Sequence, residues 1–430
     1  MRKFTSIVLA IFLFQFAYGQ EDTLINYYRT KALLYQQKVK MAEHKLSGAE
    51  SRVDASKSDK LPQLDFKGDY SYYGVAMQLA PPDGSTIGEQ ANNFYALRLD
   101  LYQPILTGGY LKGQKEVAES EVMMMQSLVK MNKQQVVLNA DMLYWDAVTK
   151  KEMVALINAY KAVIDTFVQV INDRVEEEIV GKNELYQARV RYNDAEYQSI
   201  RAEKEYMVSL MNLNKLIGLP LNSEVTVADT LGIPVWQLAN DTLKDKAMEL
   251  RPEMSYAKSQ VSRYESSEKM AGSQYNPQFG VIAGTKWGSP APGLQIDPDF
   301  QYYLKAQLVI PIIHWGKKKE EVAVIKQETE IAKLQVEQTR DEVALQVESS
   351  YYQLVRSLEQ LNFSLGALKN AGDNVSVMMD RYKEGLSSVL EVLDAQLYWQ
   401  KSYSNYIQAK FDLNMAYSQY LYAVGAFTNL

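Results

Sequence analysis

Few side chains in these 430 residues can do covalent or metal chemistry. There is no Cys, and the two histidines, His44 and His314, fall in a helical stretch and at a strand end. Disulfides, thiolate catalysis, a lipid anchor on Cys and a Cys/His zinc site are excluded. The G-x-G-x-x-G fingerprint, the P-loop and the G-x-S-x-G elbow are missing, so phosphate cradling and nucleophilic hydrolysis have no support. Met123-Met124-Met125 and Met378-Met379 could offer thioethers to a soft metal. Consecutive helical residues point in different directions, however, and adaptable packing is the better reading. No cofactor is implied. What remains is a carboxylate pair. The run from Arg381 to Gln396 sets a break at Gly385 between two long helices, and Glu391 and Asp394 follow at i and i+3 on one helical face. One reading makes them partners of the helix N-terminal dipole. The other gives them a role of their own at the break between the two helices.

The elements that position this pair begin with composition. Hydrophobic residues are 47% and charged residues 23%, the balance of a folding chain. The formal charge of -6 argues against a nucleic-acid partner, which calls for a basic patch. Thirty Tyr against twelve Phe suits surfaces that are apolar on one side and wet on the other. At the N-terminus, Arg2 and Lys3 precede an apolar run from Ile7 to Phe14, and Ala17-Tyr18-Gly19 is a small-x-small cleavage site. Residues 1–19 are therefore expected to be a signal peptide, with the mature chain starting at Gln20. No later stretch reaches the roughly 18 consecutive apolar residues of a transmembrane helix. An exported chain of this kind enters a membrane only as a closed β-barrel.

The chain also repeats itself. Leu97 to Gly109 aligns with Leu304 to Gly316, an offset of 207 (311 − 104 at the shared prolines). The same offset pairs Tyr144 with Tyr351, Arg174 with Arg381, Glu184 with Glu391 and Gly218 with Gly425. Two repeats, 20–219 and 244–430, are expected around a Pro/Gly-broken join at 220–243. Each reads helix, strand, strand, then long helices. Strands are expected at about 62–79, 93–106, 277–288 and 301–313, where apolar and polar residues alternate with Tyr or Trp at the ends, an outer-membrane pattern. Leu99, Leu101, Val281 and Leu308 fall on the apolar face and Arg98, Asp100 and Lys305 on the polar one. The loops near Ala80–Asn92 and Gly288–Phe300 carry surface residues. Pro104 with Gly109, and Pro311 with Gly316, mark where strand turns into helix. The Pro-free stretches from Leu111 to about Ile171 and from Lys318 to about Met378 predict helices of about 90 Å, the length of a coiled-coil wall. Their partners run from about Asn183 to Ile217 and from Val389 to Val424.

In this order the motifs resemble the TolC-like outer-membrane efflux factors, the outer-membrane channels of tripartite efflux and type I secretion systems. The marks are the repeated plan, the junction prolines, and the Arg381-Tyr382…Gly385…Leu390-Glu391-Val392-Leu393-Asp394-Ala395 tip. The resemblance implies an α+β membrane protein: a long antiparallel coiled-coil tunnel plus four strands per chain, shared in a trimeric twelve-stranded barrel. It implies a homotrimer in the outer membrane of a Gram-negative bacterium with the helices in the periplasm. The partners it implies are membrane lipid, a periplasmic adaptor and an inner-membrane RND or ABC pump. Glu391 and Asp394, with Glu184 opposite, match the acids ringing the periplasmic entrance. Gly385 and Leu386 match part of the tip that adaptors contact, and Ile179, Val180 and Gly181 stand at the corresponding first-repeat tip, where the resemblance implies a second adaptor contact. The first tip departs from the family pattern, because Glu178-Ile179-Val180 replaces a Gly-containing turn and Gly181 comes three residues late. The rival reading of the residues is a soluble periplasmic coiled-coil scaffold or adaptor. An enzyme has no convergent acid, base and nucleophile to build on.

Overall fold

A computed structural model describes residues 23–72, 74, 93–234, 241–288 and 298–429. The signal-peptide stretch and the first strand-connecting loop lie outside the described residues, as does most of the second. In chain order the elements are α1 (23–35), α2 (Gln37–Ser58), β1 (Gln63–Tyr72), β2 (Asn93–Thr107), α3 (Tyr110–Glu176) and α4 (Lys182–Ile217). Then come α5 (Asp241–Leu250), α6 (Pro252–Ser273), β3 (Gln278–Gly288), β4 (Asp299–Val309), α7 (Lys317–Lys383), α8 (Val389–Ala423) and a short 3-10 turn, Ala426–Asn429. The chain divides into two compact units, one of residues 1–42, 128–254 and 339–430, the other of 43–127 and 255–338.

The second unit holds the sheet. Its strands run antiparallel in the order β1-β2-β3-β4. Register explains the alternation in the sequence. Phe66 lies opposite Leu99, Leu99 opposite Thr285, and Thr285 opposite Tyr302, so the apolar residues of all four strands share one face. Lys67, Arg98, Lys286 and Gln301 line up the same way on the other face. The apolar face is open: Tyr302 is 86% and Leu304 78% exposed, and Leu64, Phe66 and Tyr70 are exposed beside them. A sheet this apolar on an uncovered face belongs against lipid or another chain rather than water. The polar face is knitted by a 2.6 Å Arg98–Asp69 ion pair and by the Tyr303 hydroxyl, which donates to Asp100. Tyr102 and Tyr303 lie across β3 because Gly280 and Gly284 leave them room. A Cβ at either glycine would meet the tyrosine ring at 2.6 Å.

One strand end differs from expectation. The last strand stops at Val309 rather than 313, because Pro311 has no N–H to continue a ladder. β1 is described only as far as Tyr72, and of the expected remainder 73 and 75–79 lie outside the described residues. Pro104 falls inside β2, where the register slips between Pro104 and Leu106, a bulge of the kind that accommodates proline.

α3 and α7 each have 67 residues, about 100 Å of helix. Both run past the expected ends near Ile171 and Met378, because nothing breaks them before the turns at Glu178 and Gly385. One 18-residue window of α3 is apolar enough to cross a membrane by composition, at a mean hydropathy of 1.4, a segment the search for consecutive apolar residues passes over. A third of that window is buried in the bundle, and elsewhere along α3 Val136, Ala140, Tyr144, Ala147 and Val148 are buried against Ile25, Tyr28, Leu213, Leu231 and Ile407 within the first unit. Bundle packing accounts for them.

That core also buries charge. Asp141, wholly enclosed, takes a two-pronged salt bridge from Arg29 at 2.6 and 2.7 Å and a hydrogen bond from Ser418 at 2.8 Å. Lys410 meets Glu152 at 2.5 Å with both side chains about 5% exposed, and the second Glu152 oxygen accepts from the Leu231 N–H at 3.1 Å. Arg251 is satisfied by Glu253, the Ala423 carbonyl and Gln346, and lies over the Tyr422 ring. Buried charges of this kind are tolerated only when paired and hydrogen-bonded.

Candidate functional site at the helix tips

Four helix ends meet at one end of the first unit. Tyr160, Ile164, Phe167 and Ile171 of α3 pack with Leu185 and Ala188 of α4, Tyr382 of α7, and Val389, Val392 and Leu393 of α8. Phe167 and Tyr382 touch edge to face with centroids 5.1 Å apart. Arg174 ties the two tips together: its guanidinium donates to the Tyr382 and Lys383 carbonyls at 3.0 and 3.2 Å and lies over the Tyr382 ring. The spacing of arginines in the sequence pointed at Arg174 only as the counterpart of Arg381. Its bridging role depends on tertiary packing.

The turns themselves are alike in backbone and unlike in residue. Gly385 has φ +75, and the Leu386 N–H reaches back to the Arg381 carbonyl at 2.8 Å. In the first tip Glu178 takes φ +59, and the Ile179 N–H reaches the Arg174 carbonyl at 2.9 Å. The left-handed position is thus filled by a glutamate, and Gly181 serves instead as the N-cap of α4 in an extended conformation that needs no glycine. A Cβ costs about 1–2 kcal/mol in this region. Gly385→Ala should therefore destabilise the tip by about 1–2 kcal/mol and Glu178→Gly should stabilise it by about 1 kcal/mol. Thermal denaturation of the two variants checks the opposite signs; equal shifts of one sign would refute the account.

Glu391 and Asp394 occupy the first turns of α8, and each has a local partner. Ser388 is the N-cap. Its Oγ accepts from the Glu391 N–H at 3.3 Å, and the Glu391 carboxylate accepts from the Ser388 N–H at 2.7 Å and Oγ–H at 3.0 Å. This capping box satisfies two orphan donors of the helix end. The hydrogen bonds from Ser388, with Arg381 nearby, hold the exposed Glu391 carboxyl below its ordinary pKa, so it is ionised at neutral pH. Asp394 lies 3.4 Å from Arg191 of α4. Arg191, which the sequence did not single out, thus offsets part of the Asp394 charge. Glu184 sits in the first turn of α4, where Gly181 supplies no side-chain cap. Ile179, Leu386 and Leu390 are exposed apolar side chains on the same end, and Val180 packs at the edge of the tip core. Gln396 is different again: it is fully buried, and among the described residues neither amide atom has a hydrogen-bond partner.

At the other end of the long helices, Gly109 directly precedes α3 and Gly316 directly precedes α7. Asn276 bonds the Gly108 carbonyl at 2.8 Å. Glu321 accepts from Tyr275 at 2.6 Å and Gln274 at 2.9 Å, which pushes the Tyr275 phenol up to about 12.

A four-stranded antiparallel sheet with one bare apolar face, together with two 67-residue helices, is the set of parts of an outer-membrane channel subunit. The chain belongs to the outer membrane efflux protein family, whose model matches residues 29–219 and 243–425. Its fold is that of solved channels. The structure of VceC from Vibrio cholerae superposes with a TM-score of 0.80 at 13% identity, covering 94% of this chain and 96% of that one. CmeC from Campylobacter jejuni gives 0.76 at 16% identity, over 93% and 85%. MtrE from Neisseria gonorrhoeae, described in its open state, gives 0.75 at 14% identity, over 93% and 88%. No curated protein sequence matches significantly.

Proposed function

We propose that three copies of this chain form a continuous exit duct, a twelve-stranded outer-membrane barrel opening into a periplasmic tunnel of paired helices. One observation carries this reading: the four-stranded sheet is unclosed, with β1 and β4 as free edges and an exposed apolar face. Unpaired edges are not tolerated in lipid. Four strands fall short of the eight that close the smallest membrane barrels; two copies give a barrel that side chains nearly fill, and three give a lumen. The tunnel wall has matching support. Tyr186, Val190, Tyr197, Ile200 and Met207 of α4 are exposed at spacings of four, seven, three and seven residues, and Val324, Ile331, Leu345 and Tyr352 of α7 are exposed at multiples of seven. Those are seams for neighbouring helices. Equal lengths of α3 and α7, with both ends offset by 207, support an internal duplication of 20–219 and 244–430 about the join at 220–243.

In this reading Glu391, Asp394 and Glu184 ring the periplasmic mouth. The exposed tip residues Ile179, Leu386 and their neighbours meet a periplasmic adaptor, which couples the duct to an RND or ABC pump. Native mass spectrometry of the detergent-extracted outer-membrane protein should give three chains. Leu99→Arg, on the apolar face, should cost about 2–4 kcal/mol if it lies near the bilayer midplane, whereas a second charge beside Arg98 on the polar face should be tolerated. A monomer recovered from the soluble periplasm, or equal tolerance of charge on both faces, would sink the duct.

A further inference from the structure

Where β4 turns into α7, the chain breaks two local rules at adjacent positions. Trp315 adopts φ +48, a conformation costly for a bulky residue, where the aligned residue of the first repeat is Gly108 at φ +63. Its indole is 94% exposed, and Ile310, Ile312 and Ile313 beside it are also exposed. Directly after it, Lys317-Lys318-Lys319 open α7, although positive charge at a helix N-terminus opposes the macrodipole. Lys317 has Glu321 at 3.5 Å, while Lys318 and Lys319 have no ion-pair partner among the described residues. Glu320 is the acid of that turn. Neither feature stabilises the chain itself. The segment is nonetheless held in place, because His314 stacks edge to face on Tyr275, whose hydroxyl is bonded to Glu321.

Resting on the duct reading, we propose that this rim is an interfacial anchor that binds anionic glycerophospholipid in the periplasmic leaflet of the outer membrane. Beyond the end of β4, Ile310 and Ile312 are exposed as Tyr302, Leu304 and Leu308 are, so apolar side chains extend from the lipid-facing strand into the rim. Trp315 then sits where strand gives way to helix, the depth at which an indole is best accommodated, apolar body inward and N–H at the headgroups. The lysines stand beyond it. Their ammonium groups meet the lipid phosphates, the attraction that draws clustered lysines to an anionic surface. The backbone strain at Trp315 and the unfavourable placement of the lysines are thereby offset by lipid contacts. The chemistry favours a phosphate-bearing layer with acyl chains beside it over an acidic protein, which would leave the isoleucines bare.

The test uses the full-length trimer in phosphatidylcholine vesicles, with and without phosphatidylglycerol, whose acyl chains carry bromine near the headgroup or near the chain ends. Tryptophan emission should be quenched by the shallow bromines, and Trp315→Phe should remove a shallow-quenched component. That component should be larger when phosphatidylglycerol is present. Replacing Lys317, Lys318 and Lys319 together by Gln should abolish the phosphatidylglycerol dependence while leaving Trp315 in place, which decides the matter even if Trp315→Phe assembles poorly. Trp287, on the apolar face near the other end of the sheet, separates this inference from the reading beneath it. If Trp287→Phe removes no bromine-sensitive emission, the barrel assignment itself fails. If Trp287 is quenched and Trp315 is not, a neighbouring copy covers the rim and the anchor is overturned. Equal quenching with and without phosphatidylglycerol would also overturn it.

Discussion

Lys410→Met should lower the unfolding free energy by about 3–5 kcal/mol, because it strands the Glu152 carboxylate in a core where that side chain is 4% exposed. The partner is 2.5 Å away in the parent, and Tyr406, beside the lysine, offers no replacement charge. Among the described residues, removing the lysine leaves Glu152 only the Leu231 N–H, one donor for a group that needs several. Adding Glu152→Gln should restore most of the loss, since a neutral amide still accepts from Leu231 and a buried pair replaced whole is often close to neutral. Denaturant titration of the detergent-solubilised protein distinguishes the outcomes. A single variant as stable as the parent would mean that water reaches Glu152.

The second expectation concerns ions. In the assembled duct, neutralising Glu391 and Asp394 together should remove most of the block by multivalent cations applied from the periplasmic side, and most of the cation selectivity of the closed state. Rings of carboxylates attract cations, and a narrow mouth lined by low dielectric focuses their field. The local geometry ranks the two acids. Glu391→Gln should remove more block than Asp394→Asn, because Arg191 at 3.4 Å already opposes Asp394. Arg191→Gln should strengthen the block. Glutamine also serves in a capping box, so the tip of Glu391→Gln should stay folded. pH gives an independent handle. The Glu391 pKa is depressed in the folded tip, so its charge and its capping contribution are complete above the ordinary carboxylate range. Both are lost only as pH falls through the lower folded value. Single-channel recording in planar bilayers reads all of these. Unchanged block in the double variant would leave Glu391 a helix cap and nothing more.

How much of this is visible in the sequence depends on the range of the interaction. The strands are legible because alternation is local: Leu97, Leu99 and Leu101 declare a face without any knowledge of what pairs with them. The long helices are legible because nothing interrupts them. The Ser388-x-x-Glu391 box is written in the sequence as a four-residue signature, yet reading the acids by charge alone hides it. Glu178 misleads for a physical reason. The turn requires a left-handed residue, and a glycine three positions later suggests a displaced turn, but packing of Arg174 onto the second tip holds a glutamate in that conformation instead. Glu152 and Lys410 are separated by 258 residues, and Arg191 and Asp394 by 203, so neither pairing leaves a local trace. Gln396 reads as a routine polar helix residue and turns out to be enclosed on the core face of α8.

The glycines of β3 have a consequence for what can pass. Tyr102 and Tyr303 fold down over Gly280 and Gly284 along the polar side of the sheet, so two bulky phenols act as wall panels rather than as posts. In the proposed barrel this would repeat at every subunit, and the width of the lumen at this level would depend on residues that have no side chain at all. A methyl group at either glycine would lift a phenol off the wall and into the stream. The width of the proposed barrel at this level would therefore depend on the emptiest positions of the strand, through the two phenols that lie over them.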